Sequence, residues 1–148
     1  MLDALDASGV VDEVVIVAGA HPAPTETAVR VVDCADWALG PGGSLRCGLR
    51  ALSTEATHAL VVLADGPDLD PRAVARVAAH CGDADIVAAS YDGARSHPLV
   101  VARRVWGDVP DDGLRALPVA LVDCSDLRPP GDVDFADTGR EQGKTPKD

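Results

Sequence analysis

The chain has 148 residues, enough for one domain with a core of its own, and at 47% hydrophobic content it is not a disordered chain. No apolar run approaches the length of a membrane span. A net charge of −11 excludes a general nucleic-acid surface, which needs a basic stripe, but not a nucleotide site, where a divalent cation and a few arginines offset phosphate charge locally. The only lysines, Lys144 and Lys147, lie in the tail, so a cation in the folded part must be Arg or His. Met1-Leu2-Asp3-Ala4-Leu5-Asp6 has no basic n-region, so no secretory signal is expected and the cytoplasm is the default location. Cys34, Cys47, Cys81 and Cys124 are far apart with no C-x-x-C pair, which predicts reduced, mostly buried thiols rather than a zinc site.

In chain order, Leu2, Leu5 and Val10 suit the end of a helix closed by Gly9. Residues 13–18 (Glu-Val-Val-Ile-Val-Ala) form a β-branched strand, broken by Gly19 to Pro24. Thr25 caps a short helix through Ala28, and Val29 to Asp33 is a second strand. The loop from Asp36 to Gly43 is Gly-rich and ends in Ser44 as an expected N-cap; Leu45, Leu49 and Leu52 share a face of the helix that follows. A helix start behind glycines offers N–H groups and a favourable dipole to an anion.

Ala59 to Leu63 then runs as an apolar strand into Ala64-Asp65-Gly66-Pro67. Ligands of open α/β sheets sit beyond the carboxyl ends of such strands, which places Asp65 where a carboxylate can hold a divalent cation. Asp70-Pro71 opens a helix that buries Val74, Val77 and Ala78. Residues 84–89 form a strand ending in a turn at Ser90 to Gly93; Arg95 to Pro98 precede a strand over Leu99 to Ala102. Short helices are expected at Arg103 to Val109, carrying Trp106, and at Asp111 to Leu117, before a last strand over Val119 to Val122. The polar stretch 139–148 is expected to be disordered. His21, His58 and His80 are expected at the surface; Trp37 and Trp106 are expected on the core. Alternating strands and helices imply a mostly parallel α/β sheet with helices on both faces and an antiparallel excursion within Ser90 to Leu117.

Five pieces in order resemble one family, the MobA-like nucleotidyltransferases, and within them the CTP:molybdopterin cytidylyltransferase branch. They are Asp36-Trp37-x-x-Gly40-x-x-x-Ser44-Leu45-x-x-Gly48-Leu49, Leu63-Ala64-Asp65-x-Pro67, His97-Pro98, Asp111-x-Gly113-x-Arg115, and Asp132-Val133-Asp134. The resemblance implies a single three-layer α/β/α domain over residues 1–138, of the nucleotide-diphospho-sugar-transferase type. It implies Mg²⁺-dependent attack of a pterin phosphate on the α-phosphorus of a nucleoside triphosphate, CTP favoured, with molybdopterin as acceptor and a molybdenum hydroxylase as a possible partner. Asp65 takes the metal, with Asp132 and Asp134 as further ligands. Gly40, Ser44 and Leu45 face the nucleotide. His97, Pro98, Asp111 and Arg115 face the acceptor, and Asp65, His97 and Arg115 are the catalytic candidates.

The chain departs from the family at both ends. The family opens with a central strand and a Gly-rich signature, L-A-A-G-x-G-x-R-x-G-x-P-K, that wraps the triphosphate; Met1 falls in the helix after it. The closing D-x-D-T-P-x-D motif reads Asp132-Val133-Asp134-Phe135-Ala136-Asp137-Thr138. Either the true start lies upstream, or this is a shortened relative without triphosphate binding. Two further readings stay open: a non-catalytic relative that binds a molybdenum cofactor or accessory partner, and an oxidoreductase of the nicotine-blue-reductase type, although no G-x-G-x-x-G is present.

Overall fold

The computed structural model describes residues 1–23 and 28–131. The expected helix beginning at Thr25, the pair Asp132 and Asp134, and the tail 139–148 lie outside the described residues.

Helix α1 (Leu2–Ala7) ends at Ser8, and Gly9 takes the left-handed conformation expected of it, at φ 71°. Strands β1 (Val15–Ala18) and β2 (Arg30–Asp33) pair in parallel. A 3₁₀ turn (Ala35–Leu39) leads into α2 (Pro41–Ala51). Strand β3 (His58–Val61) and helix α3 (Pro71–Ala79) follow. Strands β4 (Ile86–Tyr91) and β5 (Ala94–Ala102) form a hairpin, a 3₁₀ turn (Arg103–Asp108) carries Trp106, and β6 (Ala120–Asp123) is the last strand.

The second sheet has the order β3-β5-β4-β6, with β5 antiparallel to both neighbours and β6 parallel to β4. This is the expected antiparallel excursion. It turns on Asp92 (φ 52°) and Gly93 (φ 81°), two successive left-handed residues whose twist matches a two-residue hairpin.

All six residues of β4 are buried, because both faces of the strand are covered. Ile86 and Ala88 face a cluster with Leu49 of α2, Leu99 and Val101. Val87 and Ala89 face the opposite cluster with Ala73 and Val77 of α3, Val100 and Cys124. Helix α1 packs beside α3, with Leu5, Leu69 and Val74 at the centre of a third cluster. The result is a three-layer α/β/α arrangement. Among the described residues no helix is long and apolar enough to cross a membrane.

Several expectations are corrected. Ser44 is not the N-cap: α2 begins four residues earlier than expected, with Gly40 as the cap and Pro41 at the first helical position. The strand before Asp65 stops at Val61, so Val62 to Asp68 form a longer turn. His97 and Pro98 lie inside β5 rather than ahead of it, joined by a cis peptide bond. Asp111 to Leu117 is not a helix; Gly113 at φ 85° breaks helical geometry, and the segment is a pair of turns. Cys34 and Cys47 are not free thiols but a disulfide, formed because the end of β2 packs against α2 with their Cα atoms 5.8 Å apart; Cys81 and Cys124 are free. Trp37 is 46% exposed, whereas Trp106 packs on the core and donates its indole N–H to Val101 O. His58 is half-buried rather than at the surface.

Candidate functional site

A cavity of about 210 Å³ opens beyond the carboxyl end of β3. Asp65 and Gly66 form one wall, Ser96 and His97 of β5 another, and Pro130 and Gly131 a third, over an apolar floor that includes Val62 and Leu69. The Asp65 turn is held by Gly66 N–H donating to Leu63 O at 3.1 Å and Asp68 N–H donating to Pro130 O at 2.9 Å. A Cβ on Gly66 would meet Pro130 at 3.2 Å, so glycine lets the turn and the closing segment touch. The cavity lies below the usual range of about 300–1,000 Å³ for ligand pockets, so it takes the end of a ligand rather than all of it.

Asp65 is exposed at the rim. His97 is half-buried, and burial pushes its pKa below the ordinary value; the neighbouring Arg95 guanidinium acts in the same direction, and Asp65 opposes them. A neutral imidazole beside a carboxylate can donate or accept one hydrogen bond without adding charge to the cavity. Among the described residues no group of three metal-binding side chains converges. A single exposed carboxylate nevertheless suits Mg²⁺ or Mn²⁺ chemistry, in which one or two carboxylates share the ion with phosphate oxygens and water.

The other expected site residues are placed elsewhere. Gly40, Ser44 and Leu45 lie at the start of α2, beside the end of β1. There a Cβ on Gly19 would stand 2.9 Å from Trp37 Cβ and 3.9 Å from Ser44 Oγ. The helix start is not fully open to an anion, because Gly42 N–H already donates to Asp111 O at 2.8 Å. Leu45 packs on the core. Asp111 is tied to Arg46, with Nη2 2.5 Å from Oδ1, and does not line the cavity. Arg115 is exposed and also lies outside the cavity lining. Pro98 is a correction to the acceptor set: it is fully buried inside the sheet and has no surface to offer.

Asp65, expected at the metal, and His97, expected on the acceptor side, line one cavity together with Ser96, Pro130 and Gly131, which the sequence did not single out. Ser96 carried no signal of its own, since its place follows from the register of a hairpin whose first residues read as a loop. Pro130-Gly131 was visible as a turn pair, but nothing local showed that it folds back on the Asp65 turn.

The MobA-like NTP transferase domain family matches residues 1–117. No curated protein matches the chain. Solved structures share the fold. Rv0371c from Mycobacterium tuberculosis H37Rv is 23% identical, with TM-score 0.69 over 97% of this chain and 82% of that one. The same protein in complex with manganese gives 0.68 at 23% identity over 95% and 82%. An Rv0371c homolog from Mycobacterium sp. strain JC1 gives 0.67 at 22% identity over 95% and 80%.

Proposed function

The chain belongs to the MobA-like NTP transferase family, and from that premise we propose that it is a metal-dependent nucleotidyltransferase of the molybdopterin cytidylyltransferase type. The observation that carries the reading is the meeting of Asp65 and His97 in one cavity at the carboxyl end of β3; the fold, though not any site residue, is shared with a protein solved in complex with manganese.

In this reaction an ionised oxygen of the acceptor phosphate forms a bond to the α-phosphorus of the triphosphate. The bond from that phosphorus to the bridging oxygen breaks, and pyrophosphate leaves with the electron pair. Asp65 would hold Mg²⁺, which supplies charge neutralisation on the phosphate oxygens. His97, neutral at pH 7, holds one oxygen by a hydrogen bond, and Ser96 offers a hydroxyl beside it. The apolar floor keeps water from competing for the transferred group. The family's Gly-rich triphosphate loop has no counterpart in residues 1–148, so this chain alone is expected to bind at the metal end of the site and to turn over poorly.

The test is a titration of the protein with Mn²⁺ and CTP, followed by calorimetry and by the paramagnetic relaxation of water protons. Wild type should bind nucleotide in a metal-dependent way, and Asp65→Asn should lose at least ~10-fold in that binding, the loss of about 1.4 kcal/mol. Equal metal-dependent binding by Asp65→Asn would overturn the assignment. A second reading is a non-catalytic relative that binds the pterin phosphate alone. Binding of a pterin phosphate that ignores both metal and nucleotide would select it.

A further inference from the structure

The disulfide between Cys34 and Cys47 lies where each of its sulfurs has a partner ready for the reduced state. Cys34, just after β2, places Sγ 3.6 Å from the carbonyl oxygen of Gly43, an acceptor for a thiol proton. Cys47, within α2, places Sγ 3.6 Å from Arg50 Nη2, one turn further along the same helix. A carbonyl oxygen favours the protonated thiol, and a guanidinium favours the thiolate. The two surroundings therefore drive the sulfurs apart in character, Cys34 toward S–H and Cys47 toward S⁻.

The other charges nearby are engaged elsewhere or exposed. Strands β1 and β2 and both 3₁₀ turns pack on α2. In those elements Arg30 donates to Ala51 O, Arg103 donates to Ala56 O, and Arg104 pairs with Asp85. Asp33 and Asp108 are exposed, and Arg46 of α2 itself is tied to Asp111. Asp36 opposes Arg50 by pairing with it at 3.4 Å, but that contact is exposed on both sides and therefore weak.

The bond also closes a loop that other contacts close without it. Cys34 N–H donates to Ala18 O at 2.8 Å, Gly42 N–H to Asp111 O at 2.8 Å, and Gly43 N–H to Gly40 O at 3.0 Å. Gly43 packs so closely on the Asp36 carbonyl that a Cβ there would overlap it. These contacts hold the end of β2 against the first turn of α2, so the two sulfurs stay within reach of each other when reduced. Re-closure is then intramolecular, at a high effective concentration. The Arg50 side chain is 62% exposed, so Cys47 is separated from solvent by one long side chain that is free to swing away.

We propose that Cys34 and Cys47 form a reversible thiol–disulfide exchange site for small thiols and their disulfides, with Cys47 as the exchanging sulfur, Arg50 as the group that activates it, and Cys34 as the resolving thiol. In the oxidising direction the Cys47 thiolate attacks one sulfur of a small disulfide, R–S–S–R. A bond forms between Cys47 and that sulfur, the R–S–S–R bond breaks, and R–S⁻ leaves with the electron pair and takes a proton from water. Cys34 then gives its proton to water and attacks the Cys47 sulfur, and the second R–S⁻ leaves and is protonated in turn. The protein dithiol is oxidised, and one R–S–S–R is reduced to two R–SH. The reducing direction retraces these steps. Neither cysteine lines the Asp65 cavity, and the exchange needs neither metal nor nucleotide, so it stands or falls apart from the proposed transferase activity.

The experiment equilibrates the protein with mixtures of reduced and oxidised glutathione, starting from either side, and counts alkylated cysteines by peptide mass after an acid quench. Both starting points should reach the same dithiol fraction without denaturant. In Cys34→Ser, oxidised glutathione should remain attached to Cys47. Alkylation of the reduced protein against pH should give Cys47 a midpoint at or below about pH 7.5, where an ordinary thiol has one of about 8.5. Arg50→Gln should raise that midpoint toward the ordinary value. It should also slow exchange at pH 7 about 3-fold, because the lost thiolate fraction outweighs the gain in nucleophilicity. Arg50→Lys, which keeps the charge, should retain most of the wild-type profile. A bond that is reduced only in denaturant overturns the proposal and leaves a purely structural bridge. So does a Cys47 midpoint at or above about 8.5 in the wild type, a midpoint unmoved in Arg50→Gln, or a Cys34→Ser protein that takes up no glutathione at Cys47. The wild-type measurements decide the question even where a variant fails to fold.

Discussion

Arg46 and Asp111, sixty-five residues apart in sequence, close the start of α2 against the turn that follows the Trp106 segment. Arg46 Nη2 lies 2.5 Å from Asp111 Oδ1, and Nη1 donates to Val109 O at 2.7 Å. Asp111 adds its backbone carbonyl, which accepts from Gly42 N–H. Within this seam the exposed ion pair is the weak part. The Asp111 side chain is 62% exposed, so Asp111→Ala should cost less than about 1 kcal/mol. Arg46→Ala also strands the Val109 carbonyl and removes a half-buried stem, and should cost about 1–3 kcal/mol. Gly42→Ala drives a methyl group into the Pro110 carbonyl and should cost at least as much. Urea midpoints of the three variants check the order. A loss in Asp111→Ala as large as in Arg46→Ala would make the ion pair the principal contact and overturn this view.

The Cys34–Cys47 disulfide closes a thirteen-residue separation that contains Gly40 and Ser44. A closure of that length stabilises by about 3 kcal/mol when it is unstrained. Thiol counting in denaturant without reductant should find two groups, Cys81 and Cys124, and four after reduction. The Cys34→Ser, Cys47→Ser double variant should melt several degrees below the oxidised protein and match the reduced one. Four free thiols in freshly purified protein kept from reductant would show that the bridge does not form.

The parts of the fold legible in the sequence were those set by local pattern. Asp70-Pro71 announced α3, the β-branched run announced β1, and the carboxylate after an apolar run announced the rim of the cavity. What was missed depends on contacts between distant residues. Cys34 and Cys47 carry no motif, and they meet because β2 packs on α2. Ser44 is a good cap by type, but Gly40 caps instead, since at φ 129° it alone allows the chain to turn into Pro41. Asp111 to Leu117 has an acidic start and apolar spacing, yet Gly113 and the docking of Asp111 onto Gly42 hold it as turns. Asp65 and His97, singled out by residue type, both line the cavity, whereas Ser96 and the Pro130-Gly131 wall owe their places to strand register and chain return.

His97 provides a pH test of the cavity. Burial and then Arg95 lower its pKa below 6.5, so the folded protein prefers the neutral ring. This contribution to stability is therefore complete above pH 6.5. It is lost as pH falls from there through the lowered folded value, because the unfolded chain takes up the proton first. His97→Gln, which cannot be protonated, should flatten that part of the stability profile. An NMR titration of the ring should have its midpoint below 6.5 in wild type and move upward in Arg95→Gln. A midpoint at or above 6.5 would mean that Asp65 dominates the ring's surroundings and that the imidazole is charged in the working site.

Asp70, at the start of α3, offers a further check on a residue outside the cavity lining. Its Oδ1 accepts from Arg72 N–H at 2.8 Å as the helix cap, and its carboxylate pairs with the Arg72 guanidinium at 2.7 Å. The Arg72 side-chain hydrogen bond is the main cause that holds the Asp70 pKa below 3.8, with burial working against it. The charged form is favoured by folding, so the contribution is present above pH 3.8 and is lost as pH falls through the lowered value. Asp70→Ala removes cap and pair together and should cost about 1 kcal/mol at pH 7. Asp70→Asn keeps a capping oxygen and should cost only a few tenths of that, since an exposed pair adds little. The difference between wild type and Asp70→Asn should therefore shrink as the solution is acidified through the carboxylate range. Chemical denaturation at pH 7 and near pH 3 measures it. A difference that persists unchanged at the lower pH would show that the pair with Arg72 is not what distinguishes Asp70 from asparagine.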